Sequence, residues 1–387
     1  MKHKICQRCI VQFVFVIVFL IVFQVSGYGA DSTYIETADT IVSTYNYNDG
    51  PHVFYQHDDS VIVFYYCNDD IVFEVLPLTD TVTFTGLCAD STDEYMIPTK
   101  SLIPAPDRID GVKKFFAISD IHGDLEHLVE ILQSSGIIDN ERHWKWGDGH
   151  LVIDGDVFDR GAEVTECLWL IYRLEQEAAF SGGAVHFVLG NHELMVLRGD
   201  LRYVSEKYTD GIAKRSRFAY DELYGPQTEL GRWLRMKNTA VRINRTLFVH
   251  GGLLPDHFQD GQDISAINES VRQGLDYSSL DLYFSKSVKA LYGSFGPLWY
   301  RGLTVGIEGR YDTLTTLQVD SILNFCDVDE IVIGHSQQDS ITIYHDGKVI
   351  AIDVVVEDIG GQRGLLWEKG TFYRVMNTGE RIQLQNK

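Results

Sequence analysis

The sequence predicts a layered α/β fold, a β-sheet core flanked by helices, with a small β-rich region at its N-terminal side. Three observations predict it. From about Tyr34 to Ile97, Val, Ile, Phe, Tyr and Thr alternate with polar residues and break at Asn48-Asp49-Gly50-Pro51 and Asp58-Asp59, which reads as several short antiparallel strands. From Val112 the rhythm changes to apolar runs alternating with amphipathic stretches, the pattern of a sheet covered by helices. Turn residues close three of those runs at even spacing, with 36 residues from Asp120 to Asp156 and 35 from Asp156 to Asn191, each enough for a βαβ crossover of ~30 residues.

In chain order, Lys2, Lys4 and Arg8 precede an uncharged apolar run from Ile10 to Val25, and small residues Ser26, Gly27, Gly29 and Ala30 follow. That layout predicts a secretory signal over 1–30, with retention as an uncut membrane anchor as the alternative; the run is short for a span of ~20 residues. Export to a periplasmic or extracellular space is the expectation. Removing 1–30 takes away three basic and no acidic side chains, so the formal charge goes from -22 to -25. A chain so acidic lacks the clustered Lys and Arg that hold phosphate backbones, which excludes a nucleic-acid partner. Cys67 and Cys88 share the strand-rich region and could pair in an oxidising compartment, whereas Cys167 and Cys326 lie in helical patterns and read as buried apolar residues.

The β-rich region covers 31–105 and ends at Ile103-Pro104-Ala105-Pro106-Asp107, where two prolines disfavour both helix and ladder. The main domain covers 112–387. Phe115–Ser119, Leu151–Ile153 and Val185–Leu189 read as strands; Leu125–Leu132 and Glu163–Ala179 read as helices. A helical insert follows at about 194–240. Thr246–Val249 is a strand that runs into His250, and Ile331–Ile333 one that runs into His335. Asp346-Gly347 marks a hairpin turn between Ile341 and Ile352, and Glu368-Lys369-Gly370 a second one. The expected core is one mixed sheet.

Five segments each follow an apolar run: Asp120-Ile-His122-Gly, Gly155-Asp156-Val-Phe-Asp159-Arg160-Gly161, Gly190-Asn191-His192-Glu193, His250-Gly251-Gly252 and Gly334-His335. Right-handed crossovers bring successive strand ends to one edge of a sheet. Asp120, His122, Asp156, Asn191, His250 and His335 would then meet on one rim, a donor set of imidazoles, carboxylates and an amide that suits two divalent ions, Zn, Mn or Fe. Asp156 is the candidate bridge. Asp120 and His122 would hold one ion, and Asn191, His250 and His335 the other. Such a pair, ~3.5 to 4 Å apart, activates water and grips phosphoryl oxygens. Arg160 can offer a bidentate fork to phosphate, and His192 can deliver a proton with Asp159 orienting its ring.

These motifs, in this order, resemble the calcineurin-like metallophosphoesterases, in the version used by phosphoprotein phosphatases, over roughly 112–357. Gly199-Asp200-Leu201-Arg202-Tyr203-Val204 and Gly296-Pro297-Leu298-Trp299-Tyr300-Arg301-Gly302 resemble the Shewanella-like phosphatases, and Asp49–Tyr55 is similar to a segment of the cold-active protein tyrosine phosphatases in that group. The resemblance implies a metallophosphoesterase-type sheet core and a metal-dependent phosphatase acting on phosphotyrosine in a protein or peptide, with phosphoserine and phosphothreonine as further substrates. A nucleotide or diadenosine-polyphosphate hydrolase is the alternative within the fold. A catalytically silent binding module is the alternative outside it, against which the intact His192, Asp159 and Arg160 speak.

Two departures stand out. Leu189 replaces the arginine that eukaryotic Ser/Thr phosphatases carry before Gly-Asn-His-Glu, and Ser119 replaces the glycine before the first aspartate. The missing arginine leaves a phosphate contact to Arg301 or, as a second candidate, Arg202. Cys167 and Arg173 match the Cys-x5-Arg spacing of cysteine-based tyrosine phosphatases, but the apolar, glycine-free residues between them cannot form a phosphate cradle. The insert mixes Arg198, Arg202, Lys207, Lys214, Arg215 and Arg217 with Tyr203, Tyr208, Phe218, Tyr220 and Tyr224, which reads equally as a cap selecting aromatic phosphate esters and as a solvated helical face.

Overall fold

The computed structural model describes residues 47–384 apart from 57–58, 68–69, 89–93, 100–101, 213–217, 278–280, 282–284 and 355–361. The expected signal segment, with Lys214, Arg215 and Arg217 of the insert, lies outside the described residues. Among the described residues no helix is long and apolar enough to cross a membrane.

Strands β1 (Asp49–Tyr55), β2 (Ser60–Cys67) and β3 (Asp70–Pro77) form an antiparallel sheet, and β4 (Thr81–Thr85) pairs with β5 (Glu94–Pro98) beside it. A disulfide joins Cys67 to Cys88. In the main domain the chain runs β6 (Arg108–Ile109), β7 (Lys114–Ile118), α1 (Leu125–Ser134), β8 (His150–Asp154), α2 (Val164–Phe180), β9 (Ala184–Val188), α3 (Asn191–Leu197) and α4 (Glu229–Leu234). It continues through β10 (Ala240–Ile243), β11 (Thr246–Val249), α5 (Ile264–Gly274), α6 (Thr316–Cys326), β12 (Glu330–Ile333), β13 (Thr342–Tyr344), β14 (Val349–Ala351), β15 (Gln362–Glu368), β16 (Thr371–Met376) and β17 (Arg381–Gln383). Both expected hairpins form, as β13 with β14 and β15 with β16.

The strands make two mixed six-stranded sheets, β17-β16-β15-β7-β8-β9 and β13-β14-β12-β11-β10-β6, where the sequence reading had one. Periodicity does not name a strand's neighbour. The antiparallel turn from β10 to β11 opens the second sheet instead of extending the first. Alternation along β7 displays the layering: Phe115 and Ala117 pack between the sheets with Val152, Phe248, Val332 and Ile350, while Phe116 and Ile118 pack outward among Leu128, Leu132 and Leu168 of α1 and α2. Leu247, Ile331 and Ile333 face Ile264, Ile267 and Ile322 of α5 and α6 on the far side. Each of these side chains other than Ala117, fully buried, contributes about 1.5–3 kcal/mol.

The N-terminal sheet is welded to the main domain by polar as well as apolar contacts. Trp169 of α2 donates its indole N–H to the Pro51 carbonyl at 2.8 Å, and the Tyr55 hydroxyl donates to Glu229 at 2.6 Å. Lys207, in the insert, is buried; its Nζ donates to the Ala162 carbonyl at 2.6 Å and lies 3.4 Å from both Asp49 and Glu166. The Phe218 ring stacks on Phe64 at 5.7 Å between centroids.

Candidate metal centre and active site

Strand tips β7, β8, β9, β11 and β12 deliver Asp120 with His122, Asp156 with Asp159 and Arg160, Asn191 with His192, His250, and His335. Asp120, His122, Asp156, Asp159, Arg160 and His335 all have left-handed backbone, with φ between +50° and +72°. Side chains with a Cβ rarely adopt it, and each instance is held in place by its surroundings. Here the holding bonds are explicit: Asp120 N–H donates to the Gly155 carbonyl at 3.1 Å, His122 N–H to that of Asp156 at 2.9 Å, and Arg160 N–H to that of Tyr203 at 2.9 Å.

Glu193 is the hub beneath them. Its buried carboxylate accepts the backbone N–H groups of Asp156 at 2.9 Å, Val157 at 2.7 Å, Phe158 at 3.3 Å and Gly190 at 2.7 Å. Gly190 is required by space, since a Cβ there would stand 2.2 Å from Asp156 Oδ1. Ser119 donates its hydroxyl to Asp120 Oδ2 at 2.5 Å and takes part in holding that carboxylate, together with the His335 N–H at 3.0 Å.

The imidazoles are oriented by their remote nitrogens. His122 Nδ1 donates to the Phe158 carbonyl at 2.8 Å, His250 Nδ1 to that of Asp154 at 2.6 Å, and His335 Nε2 to that of Trp299 at 3.1 Å. This fixes each tautomer, the usual support of a metal-binding histidine; it turns the opposite nitrogens of His122 and His250 toward the rim, while His335 Nδ1 lies 3.3 Å from Arg301 Nη2. His122, Asp156 and His192 form one cluster of potential donor atoms within 4.8 Å of one another, and Asp156, His250 and His335 form a second, so Asp156 belongs to both. Asn191 joins the latter, with Oδ1 3.2 Å from His250 Nε2.

The charges also call for a cation. His250 Nε2 stands 3.0 Å from Asp156 Oδ2 and 3.2 Å from Asn191 Oδ1, so three electron-rich atoms converge and need a positive charge among them. Either a proton or a divalent ion supplies it. Burial opposes protonation of His250, but Asp156 and Asp120 outweigh it and hold the ring well above the usual histidine range. Burial, with neighbouring carboxylates adding to it, pushes Asp154 and Asp353 up to about 8 and Glu193 up to about 7. So many acids in a low-dielectric rim are stabilised by divalent cations, and the residues present fit such ions.

His192 has a different setting. Its Nδ1 donates to Asp159 at 2.5 Å, and Nε2 lies 3.8 Å from Asp156. Burial disfavours the imidazolium, yet the Asp159 hydrogen bond and the Asp156 charge prevail, so its pKa is raised. A pocket of about 340 Å³ opens over the clusters, lined by Asp120, Asp156, Arg160, His192, Arg301 and His335 among others. Arg301 is half-buried and donates to the His335 carbonyl. Arg202 is not brought to this pocket: its guanidinium turns outward to Asp200, with its side chain 64% exposed.

The sequence reading named neither Asp353, Arg310, Tyr311 nor Gln337, which also line the pocket. They lie on loops outside the strand-tip pattern that made the others legible. Leu189, in the place of an arginine, is buried among apolar residues. Cys167 is fully buried in α2, and burial drives its thiol pKa well above the ordinary value.

A layered sheet core whose strand tips gather histidines, aspartates and an asparagine around two overlapping donor clusters defines a metallohydrolase of phosphate esters. Residues 113–339 match the calcineurin-like phosphoesterase family, and the chain belongs to that family. It is similar to the structure of a cold-active protein tyrosine phosphatase from a psychrophilic Shewanella species, with a TM-score of 0.80 and 35% identity over 87% of this chain and 99% of that one. It is 28% identical to Shewanella-like protein phosphatase 2 of Arabidopsis thaliana over 64% of this chain and 72% of the relative. With Shewanella-like protein phosphatase 1 of Plasmodium berghei it shares 29% identity over 59% of this chain and 62% of the relative. The chain is thus a phosphoesterase of the hydrolase class, and its family and donor clusters imply bound metal ions.

Proposed function

We propose that the chain is an exported phosphomonoesterase that hydrolyses phosphotyrosine in proteins or peptides, with phosphoserine and phosphothreonine as further substrates. The observation that carries it is the buried His192, hydrogen-bonded to Asp159, which lines one pocket with Arg160, Arg301, Asp156 and His335. Similarity to the cold-active tyrosine phosphatase supports the substrate. The Cys67–Cys88 disulfide supports an oxidising compartment.

In this reading Asp120 and His122 would hold one divalent ion, Asn191, His250 and His335 would hold the other, and Asp156, which belongs to both donor clusters, would serve both. When bound, the ions supply Lewis-acid charge and a water of lowered pKa. Arg160 and Arg301 orient the phosphoryl oxygens. His192, kept charged by Asp159, delivers a proton to the leaving oxygen.

Phosphate release from phosphotyrosyl, phosphoseryl and phosphothreonyl peptides, p-nitrophenyl phosphate and diadenosine tetraphosphate, with and without chelator, tests the proposal. Release from the phosphotyrosyl peptide that stops on chelation and returns with Zn, Mn or Fe is expected. Cleavage confined to the dinucleotide, or activity indifferent to chelator, would refute it; elemental analysis identifies the ions.

A further inference from the structure

Most of the pocket lining is charged or polar, as phosphate requires, but aromatic rings stand beside both donor clusters. The Tyr203 ring lies 5.4 Å from that of His192, and the Trp299 ring 6.0 Å from that of His335; Tyr203, Trp299 and Tyr311 all line the pocket. Tyr311 is buried in the core, whereas Tyr203 is 51% exposed. An exposed aromatic is ordinary by itself. What sets Tyr203 apart is how firmly it is placed.

Its carbonyl accepts the N–H of Arg160, a residue whose own φ is +63°, so the ring is registered to the phosphate-facing loop. The turn that carries it is pinned before and behind. Gly199 has φ +75°, Asp200 N–H donates to the Met195 carbonyl at 2.9 Å, and the Arg202 Nε donates to Asp200 at 2.9 Å. The same arginine, its Cζ 5.7 Å from the Tyr203 ring centroid, backs the ring. A rigid, partly exposed ring at the mouth of an otherwise polar pocket presents a flat apolar wall at little entropic cost.

We infer that Tyr203 is the specificity-determining side chain of this site, a wall against which the aryl group of an aryl phosphate ester lies. This rests on the phosphatase reading above. In a phosphotyrosine the ring separates the phosphorus from the peptide backbone, so phosphate reaches the strand tips while the aryl ring fills the space beside Tyr203. A phosphoserine has no ring to set there and must bring its backbone down between the aromatic walls. Arg202, which does not line the pocket, then contributes by steadying Tyr203.

The test compares kcat/KM on two peptides that differ only in carrying phosphotyrosine or phosphoserine, for the wild type, Tyr203→Leu and Tyr203→Phe, each checked for fold by circular dichroism. Ring–ring contacts of this kind correspond to roughly a three- to tenfold factor in binding. Tyr203→Leu is expected to lower the phosphotyrosine-to-phosphoserine ratio by about that factor, mainly through KM for the phosphotyrosyl peptide, and Tyr203→Phe to restore it. An unchanged ratio, or an equal loss on both peptides, would overturn the assignment while leaving the phosphatase reading intact. A wild type that releases phosphate from neither peptide would sink the phosphatase reading first, and the assignment with it.

Discussion

His192 donates its Nδ1–H to Asp159 across 2.5 Å with both side chains buried, which turns Nε2 toward Asp156 at 3.8 Å. In the proposed reaction a ring so held would hand its proton toward the pocket over the donor clusters. Replacing His192 by Ala should lower kcat by roughly 10²- to 10⁴-fold, the ordinary worth of a positioned general acid. Asp159→Asn should cost less, because the amide still orients the ring but no longer favours its charge. Metal content measured by elemental analysis should stay unchanged in both; a His192→Ala protein that lost an ion would make His192 a ligand instead of a proton donor.

Glu193→Gln should act through the metal site without touching it. The carboxylate gathers four backbone N–H groups, and a carboxamide replaces one accepting oxygen by a donor that faces them. Metal affinity should fall about 10- to 100-fold, as for other supports of metal ligands. A competition titration against a chromophoric chelator reads the change, and an unaltered affinity would deny Glu193 this part.

Cys167→Ser should leave phosphate release intact. The thiol is fully buried in α2 with its pKa driven up, so it is neither ionised nor reachable. Iodoacetamide applied to the folded protein should likewise fail to inactivate it. Inactivation that tracked alkylation of Cys167 would revive the cysteine-based chemistry that its apolar helix argues against.

Lys207→Met should destabilise the protein by about 3–5 kcal/mol, because Asp49 and Glu166 lose their shared cation, with His52 at 2.7 Å left as a partner of Asp49. The Ala162 carbonyl loses a donor as well, one residue past the Gly161 that ends the phosphate-facing loop. Urea denaturation gives the magnitude. A variant as stable as the wild type would mean that the N-terminal sheet is held by its apolar contacts alone.

The positions that meet at the rim were legible because each follows an apolar strand, and a strand's end is the most local thing about it. Asp120, Asp156 and Asn191 sit at crossover spacing, and His250 and His335 each end a run of their own. What the sequence concealed was lateral. Nothing in the alternation of Phe115 to Ile118 tells that one side faces a second sheet and the other two helices. Arg301 stands ahead of Arg202 on its motif alone; in the fold a neighbouring Asp200 claims Arg202, and the loop at Trp299–Arg301 turns Arg301 inward. Ser119 read as a departure and proves to donate to Asp120. Tyr203 reads in the sequence as part of the Gly199–Val204 motif and as one of several aromatics in the insert; only the fold sets its carbonyl on the Arg160 N–H.

β7, which ends at the first motif, has β8 on one flank and β15 on the other. A ribosome releases β7 early and β15 only after nearly all the rest, so that strand waits through most of translation with one ladder unmade. Contacts so distant along the chain close slowly. The rim in which β7 ends therefore gains its last lateral support only when the C-terminal hairpin β15–β16 docks against it.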